Sequence, residues 1–71
     1  MNITVQESLR RGAKLETQGK YAEAIKTYEK ALQLEPKNPQ INHRLGSLAM
    51  VNEEYSKALS FTRVALEAEP S

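Results

Sequence analysis

The sequence predicts an all-α chain: two tandem helix–turn–helix hairpins, giving four antiparallel helices in a fragment of a right-handed α-solenoid. Three observations carry this expectation. The chain matches itself at an offset of 34 residues. Its apolar residues recur at three- and four-residue spacing, the period of a helix face. Glycine, asparagine or proline stands wherever that spacing lapses.

At the 34-residue offset, Gln6 meets Gln40, Arg10 meets Arg44, Gly12 meets Gly46 and Tyr21 meets Tyr55. Ala24 meets Ala58, Ala31 and Leu32 meet Ala65 and Leu66, and Glu35 and Pro36 meet Glu69 and Pro70. Ile25/Leu59 and Ala13/Ser47 are conservative partners. A chain of 71 residues has room for one small domain, so 1–71 is a single domain with repeats at 5–38 and 39–71.

The first helix is expected from about residue 5 to 18. Thr4-Val5-Gln6-Glu7 fits a capping box, in which the Thr hydroxyl and the Glu carboxylate satisfy reciprocal backbone donors. Gly19 breaks the helix. A second is expected over about 22–35, with Ala24, Ile25, Tyr28, Ala31 and Leu32 on one face and Pro36 ending it. Asn38 caps the third, expected to about 52, with Pro39 at its first position, where a missing N–H costs nothing. The fourth is expected over about 56–69, before Pro70. Connections of three or four residues make neighbouring helices antiparallel. Gly12 and Gly46 sit mid-helix, where glycine costs about 1 kcal/mol against alanine, a cost tolerated where another helix comes close. Tyr21 and Tyr55 are expected to fill the wedge between helices with their hydroxyls in water.

This 34-residue unit, with Gly12, Tyr21, Ala24, Tyr28, Ala31 and Pro36 in the first copy, resembles a tetratricopeptide repeat. The second copy carries Leu45, Gly46, Tyr55, Ala58, Ala65 and Pro70. The stretch YAEAIKTYEKALQLEPKN is very close to the family's usual second helix, and the resemblance covers residues 5–71. Departures stand at Ser8 and Arg11, where the family usually has large apolar residues, and at Thr62, where it usually has an aromatic beside Phe61.

Composition excludes several function classes. There are no cysteines, so neither disulfides nor the common structural zinc sites are available. Ten basic residues against nine acidic, with lysines and glutamates interleaved, are unlike a nucleic-acid-binding domain. The short apolar runs cannot span a membrane. Met1 to Gln6 lacks the basic segment and apolar stretch of a secretory signal, so a cytoplasmic location is expected. Gly12, Gly19 and Gly46 are isolated and form no phosphate loop, and His43 is the only candidate base for Ser8, Ser47, Ser56 and Ser60 or the only imidazole for a metal. No enzymatic activity, metal or cofactor is expected.

The resemblance implies a groove lined by the first helix of each repeat, where a partner peptide or protein lies. Carried over, the lining residues are Gln6, Leu9, Arg10 and Ala13 from the first repeat, and Gln40, His43, Arg44, Ser47 and Met50 from the second. The Gln6/Gln40 and Arg10/Arg44 identities are not needed for the repeat fold. Four residues apart in each helix, they share a face and would stack as a short ladder suited to an acidic side chain or a carboxyl terminus. The lysine and asparagine clamp of the family's chaperone-tail binders is not reproduced, since Leu9, Ala13 and Arg44 occupy its places.

An alternative expectation concerns the last helix. Ala58, Leu59, Ala65 and Leu66 are read as its face toward its own hairpin. Phe61, Val64 and Ala68 form a further apolar stripe, where the first repeat has Thr27, Lys30 and Leu34. Such a stripe would be covered by self-association as a homodimer, or by another repeat of a longer array.

Overall fold

A computed structural model describes residues 4–68. Four helices fill this span: α1 (Val5–Thr17), α2 (Tyr21–Leu34), α3 (Pro39–Val51) and α4 (Tyr55–Ala68). They pack as adjacent pairs, α1 with α2 and α3 with α4, and no strand occurs among the described residues. The two hairpins lie in compact units, Met1–Pro36 and Lys37–Ser71.

In the first hairpin the cap of α1 is a variant of the expected box. Thr4 Oγ1 accepts the Glu7 N–H at 3.1 Å, while the Glu7 carboxylate accepts the Thr4 hydroxyl at 3.3 Å in place of a backbone donor. Helix α1 ends in a Schellman turn: Gly19 N–H donates to Glu16 O at 3.0 Å and Lys20 N–H to Leu15 O at 2.8 Å. Gly19 takes the left-handed conformation this turn requires, with φ +78°. Tyr21 is the first residue of α2 and is 45% exposed.

The core of this hairpin is made by Ser8 and Gly12 of α1 against Ala24, Tyr28 and Ala31 of α2. Tyr28 is fully buried and its ring lies over Gly12, where any Cβ would fall within the ring's contact radius. Its hydroxyl donates to Glu16 Oε2 at 2.5 Å, so the one polar atom of the ring is satisfied. Ser8, one turn before Gly12, is buried as well. Arg11 is exposed.

In the second hairpin Asn38 Oδ1 accepts the Ile41 N–H at 3.1 Å, with Pro39 at the first helical position. Asn42, buried, donates from Nδ2 to Asn38 O at 2.8 Å and so ties the first turn of α3 to its cap. The end of α3 repeats the Schellman turn, with Glu53 N–H to Met50 O at 3.0 Å and Glu54 N–H to Ala49 O at 2.8 Å. Here the left-handed position is Glu53, φ +62°, a residue with a Cβ where the first hairpin has glycine. Buried residues are Ile41, Asn42, Leu45, Gly46, Leu48 and Ala49 of α3 with Ala58 and Ala65 of α4. A Cβ at Gly46 would meet Thr62 Oγ1 at 3.2 Å and Phe61 Cβ at 3.5 Å, a far looser fit than at Gly12. The expected end of α4 at residues 69 and 70 lies outside the described residues.

Candidate interaction surface

Helix α1 buries Ser8 and Gly12, which leaves Gln6 and Arg10, one turn apart, exposed, with Leu9 and Ala13 half-buried beside them. Helix α3 turns Gln40, His43, Arg44, Ser47 and Met50 to water, all five exposed. Within each helix the predicted lining residues therefore share a solvent-facing side. Val51, 63% exposed, belongs to the same side of α3 and was not expected there. Its seven-residue spacing from Arg44 could have found it.

Helix α4 departs from expectation in rotation. Ala58 and Ala65 are buried, as expected, but Leu59 and Leu66 are 62% and 66% exposed and do not face α3. Adjacent residues on a helix lie about 100° apart, and the face set by the alanines carries both leucines out of the hairpin. Phe61 and Val64 are half-buried and Ala68 is exposed. A Cβ at Gly46 would meet both Phe61 and the exposed Thr62. The large apolar side chains that α4 leaves in water are Tyr55, Leu59 and Leu66, on one side at four- and seven-residue spacing. Their counterparts Ile25 and Leu32 in α2 are half-buried.

The turn before α4 carries an ion pair. Glu54 Oε2 lies 3.1 Å from Lys57 Nζ, and its carboxyl is held below the usual carboxylate range. The Lys57 hydrogen bond contributes most, followed by the Lys57 charge and a hydrogen bond from Asn52. Among the described residues no group of three or more His, Cys, Asp or Glu could hold a metal ion, and no helix is long and apolar enough to cross a membrane.

Two helical hairpins with the same caps, the same turns and one 34-residue register define a helical-repeat protein. Residues 17–50 match the family model described as TPR repeat, and the four helices of the described residues fit a repeat of this type. The match runs from the last residue of α1 through α2 and most of α3. Repeats of this family are generally protein-interaction modules. No curated protein matches the chain.

Proposed function

We propose that the chain is a non-catalytic interaction module that holds a segment of a partner protein against the exposed sides of α1 and α3. The segment carries at least one acidic side chain. The observation behind this reading is the repetition of Gln6/Gln40 and Arg10/Arg44 at equivalent positions, all four exposed and outside the buried set of either hairpin. Arginine binds carboxylates through two parallel hydrogen bonds, and each hairpin carries one such arginine. Leu9, Ala13, His43, Ser47 and Met50 complete the surface. A cytoplasmic setting fits a chain without cysteine. Panning a random dodecapeptide library should enrich acidic sequences, and Arg10→Ala/Arg44→Ala should weaken their binding about tenfold. Unchanged affinity in the double variant refutes the reading.

A second reading, self-association through α4, is favoured by the exposure of Tyr55, Leu59 and Leu66. Burying side chains of this size against a second copy would be favourable by roughly 1.5–3 kcal/mol each. Light scattering across a concentration series tests it. Leu59→Ser/Leu66→Ser should lower the mass of any assembly, whereas Phe61→Ser/Val64→Ser doing so alone would return the contact, with Ala68, to the other stripe. A monomer at every concentration removes this reading.

A further inference from the structure

The exposed side of α3 is not chemically uniform. Arg44 and Val51 are seven residues apart, as are His43 and Met50, so each pair forms a row two turns long. The rows flank a midline of Gln40 and Ser47, also seven apart. Each row has a nitrogen-bearing side chain toward the amino-terminal end and an apolar one at the other, Met50 being 55% and Val51 63% exposed. The core does not require this, because the buried residues of α3 lie on its opposite side. Nor does the repeat: the counterparts of Met50 and Val51 in α1 are Glu16 and Thr17.

We propose that this face binds an extended peptide bearing a carboxylate and a large apolar side chain three residues apart; the proposal rests on the reading of α1 and α3 as the interaction surface. Seven residues of helix rise about 10.5 Å. A polyproline-type extended chain rises about 3.1 Å per residue and returns to the same side every third residue, so positions i and i+3 reach both ends of the rows. The carboxylate sits between Arg44 and His43. The apolar side chain lies on Met50 and Val51, where the unbranched thioether adapts to its shape. The midline selects the extended form. A helical partner satisfies its own backbone, whereas an extended one presents N–H and C=O groups that the Gln40 amide and Ser47 hydroxyl can bond.

The test is an amide chemical-shift titration of the labelled protein with Gly/Ser decapeptides. Each carries one Glu and one Leu, separated by one to six residues, in both orders. A further peptide, alanine-rich and helical, carries them seven apart. Affinity should peak at a separation of three, about fivefold above separations of one or six, with the largest shifts on α3. Met50→Ser/Val51→Ser should abolish the peak while leaving binding that depends on Arg44. Equal affinity at all separations, or preference for the helical peptide, overturns this proposal and leaves the interaction surface standing if Arg44→Ala still weakens binding. No shift on α1 or α3 with any peptide overturns both.

Discussion

Gly12 and Gly46 occupy the same repeat position, yet substituting them should have opposite consequences. Gly12 faces the ring of Tyr28; the position equivalent to Tyr28 in the second hairpin is Thr62. An alanine Cβ at residue 12 would lie inside contact distance of Tyr28 Cε1 and Cζ and 2.8 Å from its Oη. The ring is fully buried and anchored to Glu16, so it can yield only by breaking that hydrogen bond and displacing α2. Overpacking of this kind costs about 1–3 kcal/mol. Losing a hydrogen bond to a charged group adds about 1.5–3 kcal/mol. Helix propensity returns about 1 kcal/mol when alanine replaces glycine. The net expectation for Gly12→Ala is a loss of about 1.5–5 kcal/mol, a large part of the roughly 4–10 kcal/mol available to a domain of this size.

At Gly46 the nearest atom to the new methyl is the hydroxyl of Thr62, an exposed side chain, at 3.2 Å. A small rotation relieves the contact, so Gly46→Ala should be neutral or stabilising by up to about 1 kcal/mol. Urea unfolding followed by far-ultraviolet circular dichroism measures both, the midpoint shift at constant slope giving the difference. Comparable losses at the two positions, or a Gly12→Ala protein as stable as the parent, would refute the reasoning. The first result would mean that Gly46 is packed as closely as Gly12, the second that the Tyr28 ring does not rest on Gly12.

The two Schellman turns supply a second pair. Replacing Glu53 by Gly should stabilise by about 0.5–1 kcal/mol, since the left-handed conformation strains a residue with a Cβ; Gly19→Ala should cost about 1 kcal/mol, and thermal unfolding reads both. Asn38→Ala removes the acceptor for the Ile41 N–H and should cost about 1 kcal/mol, with hydrogen exchange accelerated in the first turn of α3. Glu54 has a folded-state pKa below its ordinary value of 4.5, so its contribution is present above that value and is lost as pH falls through the lower folded one. The pair is exposed, and the effect should be small and screened by salt: Lys57→Met should flatten the acid limb of a stability–pH curve at low ionic strength and change nothing at neutral pH in high salt.

The features that were legible in the sequence are those set by local chemistry. Thr4 and Asn38 cap helices because their side-chain oxygens reach a backbone N–H three residues on, and Gly19 marks the turn because few residues take positive φ. Helices α2 and α4 begin one residue earlier than expected, because Tyr21 and Tyr55 belong to the first turn and not to the loop. Rotation of α4 was not legible. Leu59 and Leu66 adjoin Ala58 and Ala65 in sequence, and only packing against α3 decides which column turns inward. The same holds for the two glycines, identical in the repeat and different in their neighbours. On the interaction surface, Gln6, Arg10, Gln40 and Arg44 were legible from repetition; Val51 was not, because its counterpart is Thr17 and the residue does not repeat.

Comparing α1 with α3 constrains how copies of the chain could associate. Helix α3 buries two adjacent columns, Asn42/Gly46/Ala49 and Ile41/Leu45/Leu48. In α1 the counterparts of the first are Ser8, Gly12 and Leu15, buried or half-buried, but those of the second are Glu7, Arg11 and Lys14, all exposed. A head-to-tail assembly through this side of α1 would press those three charges onto Tyr55, Leu59 and Leu66 of the next copy. Desolvating charges against leucine costs far more than the apolar contact returns. Pairing α4 with α4 meets no such cost: an antiparallel two-fold arrangement sets Leu59 of each copy against Leu66 of the other. It also brings Arg63 of one copy within about 7–8 Å, along the helix axis, of Glu67 of the other. Any self-association should therefore close at the dimer, as isologous contacts do, and not grow into a fibre. A mass that rises with concentration without a plateau at two copies would show that the charged side of α1 is not the barrier its chemistry makes it.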